Sequence, residues 1–247
     1  MKAKSNPSFI HANWPAPAGV NAIATTRCAG LADKKIDFNL ALHTTNDVEQ
    51  VQNNRKLLIS SLELPNAPIW LNQVHGCNVY SVNEIPTTPP KADAAYTTKL
   101  DMVCAVLTAD CLPVLVCDTA GTIVAAIHAG WRGLQQQIIG ATVAAMQTEP
   151  AKLMAWLGPA ISAEAYEIDD AVREQFAGQA VDKAFHSSRP GHWRMDLYMI
   201  ARSQLQRLGV QGVYGGDFCT YREHRFFSYR RDASSGRMAT LIWLTDG

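Results

Sequence analysis

The segment TADCLPVLVCDTAGTIVAAIHAGWRG, residues 108 to 133, constrains the fold more than any other part of the chain. LPVLVCD and TIVAAIH both read as core strands, and Thr119, Ala120 and Gly121 between them suit a turn. A hairpin is therefore expected, and it would return His128 to the level of Cys111. Pro113 cannot extend a helix or donate to a central ladder, and His128 stands just before AGWRG, where strand gives way to helix. A thiol and an imidazole thus meet at strand ends facing a helix start, where sites are usually built.

The remainder reads as strands in adjacent groups with helices between the groups. Strands are expected at NAIATTR (21 to 27), APIWLNQ, CNVYSV, MVCAVLT, LPVLVCD and TIVAAIH, and a helix at DVEQVQNNRKLLISSL (47 to 62). A further helix is expected over WRGLQQQIIGATVAAM, with Leu134, Ile138, Ala141 and Ala145 along one stripe. Asp169 and Asp196 suit the N-caps of DAVREQF and LYMIARSQLQRLG, the second closing at Gly209. RFFSYRR and MATLIWL read as a closing β-pair joined by DASSG. This pattern predicts an α+β fold with mixed or antiparallel sheets rather than a doubly wound parallel sheet. No repeat or low-complexity tract divides residues 1–247, and IPTTPPKAD (85 to 93) is short enough to be a surface loop, so a single domain is expected.

Charge and composition exclude several classes of function. Lys plus Arg equals Asp plus Glu at 22 each, which leaves no net field to gather nucleic acid or an acidic membrane. The basic residues of MKAKSNPSF precede no apolar run of secretory length, and nothing approaches a membrane span, so the expected location is cytoplasmic. Six scattered cysteines without a CxxC pair predict reduced thiols, with Cys104 and Cys117 as inert core residues.

Cys111 differs from those two because Thr108, Asp110 and Pro113 mark the end of its apolar run. A single strand-end His is ordinarily a hydrogen-bonded structural residue. His75, in WLNQVHGCNVY, adds a second imidazole at a strand end. Two His and one Cys match a zinc site with three protein ligands and one open position, the catalytic arrangement. Asp110 and Asn72 are neighbours that could orient these ligands, although adjacent strand residues point to opposite faces. Gly130 and Gly133 would allow a tight turn and close approach of a ligand. Tyr166 and Phe227 could stack on a planar ligand or belong to the core.

NQVHG (72 to 76), TADCLPV (108 to 114), HAGWRG (128 to 133), LGPAIS (157 to 162), CTYRE (219 to 223) and FFSYRRD (226 to 232) resemble the laccase-domain family. The resemblance runs from TTR (25 to 27) to the C-terminal strand. That family has been named for multicopper polyphenol oxidoreductase activity, as a peptidoglycan editing factor, and as a zinc-dependent purine nucleoside phosphorylase. The resemblance implies a layered α/β sandwich similar to cysteine-dependent deamidases and hydrolases, with His75, Cys111 and His128 as metal-binding and catalytic residues. It implies nucleosides (adenosine, inosine, guanosine, methylthioadenosine) and phosphate as small-molecule partners, no protein partner, and an accompanying adenosine deaminase activity. One departure is visible: Cys28, Ala29, Gly30 and Leu31 follow TTR where the family often has Gly-Gly.

The residues discriminate among these names. A multicopper oxidase needs an electron-entry copper and a trinuclear cluster rich in His-x-His pairs, yet the chain has seven histidines and no His-x-His. His11, His186, His192 and His224 lie in polar contexts. Copper would outcompete zinc at a Cys/His site in vitro, which accounts for laccase-type chemistry without multicopper machinery. Phosphorolysis instead requires an anion clamp, for which Arg27 and Arg132 are the candidates, with an ion-paired strand end and a surface residue as their bland readings. Two alternatives stay open: a Cys/His hydrolase or amidase editing cell-wall precursors with Cys111 as nucleophile, and a non-enzymatic zinc-stapled binding protein.

Overall fold

A computed structural model describes residues 9–28, 37–44 and 47–246. The Ala29–Gly30–Leu31 departure from the family pattern lies outside the described residues. In chain order the elements begin with β1 (Ile10–His11), β2 (Val20–Ala24), α1 (Val48–Leu62), β3 (Val79–Ser81), β4 (Ala94–Thr97), β5 (Cys104–Thr108), β6 (Leu112–Asp118) and β7 (Val124–Ala129). They continue with α2 (Trp131–Gln135), α3 (Ile138–Met146), β8 (Leu153–Leu157), β9 (Glu167–Asp169), α4 (Asp170–Glu174), β10 (Phe185–Arg189), β11 (His192–Met195), α5 (Leu197–Leu208), β12 (Gly212–Gly215) and β13 (Met238–Leu244). The fold is α+β, with a six-stranded mixed sheet in the order β12-β8-β6-β7-β4-β3 and a four-stranded antiparallel sheet in the order β1-β2-β13-β5. A small three-stranded sheet, β10-β11-β9, stands apart.

Side-chain alternation stacks these elements into layers. Along β6, Leu112, Val114 and Val116 pack with Ile138 and Val143 of α3 and Leu205 of α5, whereas Leu115 and Cys117 join Val106 of β5 and Ile242 of β13 between the two large sheets. Along β13, Leu241 and Trp243 point the other way, onto Leu58 of α1. Both large sheets are thus covered on both faces, and this explains why β6, β7 and β13 are buried at every position and read as continuous apolar runs. The order of layers is helix, sheet, sheet, helix.

The β6–β7 hairpin forms as its sequence predicts, with Pro113 opposite His128 and Leu112 opposite Ala129. Gly121 takes φ +71, and Asp118 accepts the Thr122 amide at 2.7 Å and the Thr122 hydroxyl at 2.6 Å to close the turn. Asp47, Asp169 and Asp196 each cap a helix through the side chain, and Gly209 ends α5 at φ 98.

Three expectations are corrected. APIWLNQ is not a strand; it makes a single bridge, Ile69 to Cys104. The expected helix after His128 is two helices, because Gln137 adopts a left-handed φ of 63. That break rephases the stripe, so α3 buries Ile138, Ile139, Thr142, Val143 and Met146 while Ala141 and Ala145 are only half-buried. RFFSYRR is a run of turns rather than a strand, since its polar groups are taken up by Asp110, and β13 pairs instead with β2 and β5.

Candidate metal centre

Three side chains meet where the layer between the two large sheets opens to solvent. Val124 and Ala126 of β7 face that layer, so His128, two and four residues further on, continues the same face. Cys111 sits in the tight β5–β6 connection, and His75 comes from the chain preceding β3. One ligand atom from each of His75, Cys111 and His128 lies within 4.8 Å of the other two. The two imidazole rings are edge-on, with centroids 4.7 Å apart. His128 is buried, Cys111 half-buried and His75 exposed, so the cluster has an inner wall and an open side.

Asp93, at the start of β4 and fully buried, organises the cluster. Its Oδ1 lies 2.8 Å from His128 Nδ1, which leaves Nε2 as the ring atom free to ligate. The same carboxylate accepts the main-chain N–H groups of Val74 (3.1 Å), His75 (2.9 Å) and Gly76 (2.8 Å). Those bonds hold His75 at φ 60, a left-handed backbone that a non-glycine residue adopts only when its surroundings fix it. Sequence reading missed Asp93. Its signal is an acid immediately before the apolar strand AAYT, where an unpartnered carboxylate would be too costly to bury.

The electrostatics favour a thiolate. Burial pushes the Cys111 thiol up, but the His128 charge and hydrogen bonds from both imidazoles outweigh it and bring it down to about 6. Burial likewise lowers His128, and Cys111 and Asp93 outweigh it, raising the ring to about 9. Cys104 and Cys117 behave oppositely, pushed up to about 12 by burial. A low-lying thiolate beside two imidazoles is a donor set suited to zinc or copper and equally to nucleophilic attack.

The donors open on a cavity of about 330 Å³ whose walls include His43, Gln73, Thr108, Arg132, Tyr229 and Arg237. Arg132 lies over the Trp131 ring, 4.5 Å from its centroid. Tyr166, half-buried, lines an adjoining lobe with Arg230 stacked 5.1 Å above it. Arg27 is not among the residues lining either space. Its Nε and Nη2 donate to Asp37 at 2.8 and 3.2 Å, and its guanidinium lies 5.4 Å from the centroid of Phe227, itself a core residue. Asn72 makes a main-chain bond to Pro90 and none to His75. Asp110 ties the loop carrying Tyr229 to the base of the site, accepting from Thr220 Oγ1 (2.6 Å), Ser228 Oγ (3.1 Å) and the Arg230 amide (2.6 Å).

The sequence profile of the multi-copper polyphenol oxidoreductase laccase family matches residues 21–245. The chain belongs to this family. It is 45% identical over 241 residues to the purine nucleoside phosphorylase YfiH of Escherichia coli K12, covering 96% of this chain and 98% of that one. A purine nucleoside phosphorylase of Pseudomonas aeruginosa is 41% identical over 244 residues, covering 97% and 99%. The crystal structure of a Neisseria meningitidis protein superposes with a TM-score of 0.91 at 45% identity, covering 96% of this chain and 99% of that one. No helix among the described residues is long and apolar enough to cross a membrane.

Proposed function

We propose that this protein is a zinc-dependent purine nucleoside phosphorylase that cleaves the bond between a purine base and ribose with phosphate as nucleophile. The observation that carries the reading is the coincidence of the His75–Cys111–His128 donor set with near-full-length relatives named for that activity. The donor set fits zinc chemically: a thiolate and two imidazoles, one of them oriented by a buried carboxylate, around an open side. Zinc held there would supply a Lewis acid to an oxygen ligand. The residues of the chain do the rest. Asp93 fixes the His128 ring, Arg132 places a charge at the cavity mouth, and Tyr166 offers an aromatic face in the adjoining lobe. Among the described residues no second metal-ligating group of this kind exists, which weighs against a multicopper oxidase. A cytoplasmic location accords with unpaired cysteines and with nucleosides as substrates.

The test is turnover of inosine and adenosine with and without phosphate, with products identified. Hypoxanthine or adenine with ribose phosphate is expected only in phosphate. Equal release without phosphate, giving free ribose, would make the protein a nucleosidase; release of ammonia from adenosine measures the deaminase activity separately. A second reading is favoured by one observation: Cys111, His128 and Asp93 also form the chain of thiol, imidazole and carboxylate that a Cys/His hydrolase uses. Zinc content and alkylation of Cys111, treated below, separate the two.

A further inference from the structure

The cavity beside the metal donors holds an imbalance of charge that the proposed reaction explains. Its lining includes His43, Arg132 and Arg237 and no carboxylate. The two acids nearest the metal donors are already saturated: Asp93 accepts four hydrogen bonds and Asp110 three. Arg237 is half-buried and makes no ion pair among the described residues, although Cys111 and Asp110 act on it through space. Its Nη1 donates only to the carbonyls of Ser235 (2.6 Å) and Gly236 (3.0 Å), and its guanidinium lies 5.7 Å from the Tyr229 ring centroid. A half-buried guanidinium that forms no ion pair of its own favours an anion entering the cavity. Thr108 supplies an independent sign. Thr108 lines the same cavity, and its hydroxyl oxygen is buried with no hydrogen-bond partner. Buried hydroxyls are ordinarily paired, so this one is a donor without a protein acceptor immediately beside the cavity.

The geometry points to Arg237, with His43 and Thr108, as the subsite that holds the phosphate nucleophile beside the metal donors. The proposal rests on the phosphorolysis reading and places the anion clamp at Arg237, which lines the cavity, rather than at Arg27, which pairs with Asp37 and lines neither lobe. Arg237 offers charge-assisted hydrogen bonds, Thr108 one hydroxyl donor, and His43 a ring within the same positive field. Arg237 and His43 follow from no sequence motif, because a lone Arg before a strand and a lone His in a single 3-10 turn, Leu42–Thr44, carry no signal until the fold brings them together.

Arg237→Gln, Arg237→Lys, His43→Gln and Thr108→Val in the zinc-loaded protein test this subsite. Arg237→Gln is expected to raise KM for phosphate about tenfold or more, with KM for inosine and zinc content close to wild type, and Arg237→Lys to recover part of the loss. His43→Gln and Thr108→Val are expected to raise the same KM less and give a second route if Arg237→Gln folds poorly. Calorimetric titration with inorganic phosphate alone should show the same order. Unchanged phosphate KM, or an equal loss for both substrates, overturns the subsite. If the wild type cleaves nucleosides without phosphate, the titration decides by itself: phosphate binding that Arg237→Gln abolishes supports the subsite although phosphorolysis has failed. Absence of binding, or binding indifferent to Arg237, overturns it.

Discussion

Asp93 and His128 are joined twice, once through the side chains at 2.8 Å and once by the His128 main-chain N–H, which donates to the Asp93 carbonyl at 2.7 Å. The side-chain bond sets the ring tautomer, and the main-chain bond registers β7 against β4. Since the same carboxylate also holds residues 74 to 76, one buried charge positions two of the three metal donors. Asp93→Asn should therefore lower metal affinity or kcat/KM by about 10- to 100-fold, whereas Asp93→Ala should also cost about 3–5 kcal/mol of stability by stranding buried donors. Metal titration and thermal unfolding of both variants check this; wild-type zinc affinity in Asp93→Asn would remove Asp93 from the site.

The acid limb of stability follows from the same residue. Burial pushes Asp93 up, but hydrogen bonds from His128 and the main chain outweigh it and hold the carboxyl below its ordinary 3.8. A carboxyl lowered on folding stabilises the protein fully above its unfolded value, and that contribution is lost as pH falls through the lower folded value. Asp93→Asn should accordingly flatten the loss of stability below about pH 4. Denaturant midpoints measured from pH 2 to 6 would show it, and parallel curves for the two proteins would contradict it.

Cys111 decides between ligand and nucleophile. In chelated protein, alkylation of Cys111 should titrate near pH 6 rather than the ordinary 9.0, and His128→Ala should move the midpoint upward because the largest favourable influence is gone. Cys104 and Cys117, fully buried and pushed up to about 12, serve as slow controls. Loading zinc should protect Cys111, and His75→Ala, Cys111→Ala and His128→Ala should each lose zinc, since only two protein ligands remain. Full zinc in Cys111→Ala, with rapid alkylation of the loaded wild type, would establish the nucleophile instead.

Asp110 adopts φ 85, and its three hydrogen bonds pin the turn-rich segment that presents Tyr229 to the cavity. Asp110→Ala should release that segment, raising KM for the nucleoside several-fold or more while leaving zinc in place, because its side-chain bonds go to Thr220, Ser228 and Arg230 and none goes to a metal donor. Limited proteolysis between residues 220 and 232 gives a readout independent of turnover. Wild-type KM and an unchanged cleavage pattern would show that the segment holds its position without Asp110.

The meeting of Cys111 with His128 was legible in the sequence because the two stand at neighbouring ends of one hairpin, and hairpin pairing is a local rule. The layered α+β fold was legible for the same reason: β6, β7 and β13 carry their burial as unbroken apolar runs. Asp93, Arg237 and His43 were not legible, since each meets the site only through long-range packing, 35 residues separating even Asp93 from His128. The closing pair failed for a related cause. FFSY has strand composition, but Asp110, some 118 residues before Ser228, competes for its polar groups and wins. Arg27, read from the TTR motif as an anion clamp, pairs with Asp37 ten residues further on.

Gly130 tests whether the site's shape, beyond its ligands, is specified. Its φ of −68 and ψ of 167 are open to any residue, so the glycine is not there for backbone freedom. It is there for space: a Cβ at this position would come within 3.0 Å of Cys111 Sγ and 3.4 Å of His75 Cδ2. The first distance demands that sulfur or backbone shift by a few tenths of an ångström, and sulfur is the atom whose position a metal cannot forgive. Gly130→Ala should therefore lower thermal stability of the chelated protein by only about 1 kcal/mol, because Gly130 is the N-cap of α2, a position where alanine is the poorer residue. Zinc affinity should nonetheless fall by about tenfold, a loss of the size that disturbing a ligand's surroundings produces. Competition against a chromogenic chelator measures the affinity, and calorimetric unfolding of the chelated protein measures the stability. Equal zinc affinity in the two proteins would mean that the backbone at residue 130 gives way instead of the sulfur, and that the glycine does not set the shape of the site.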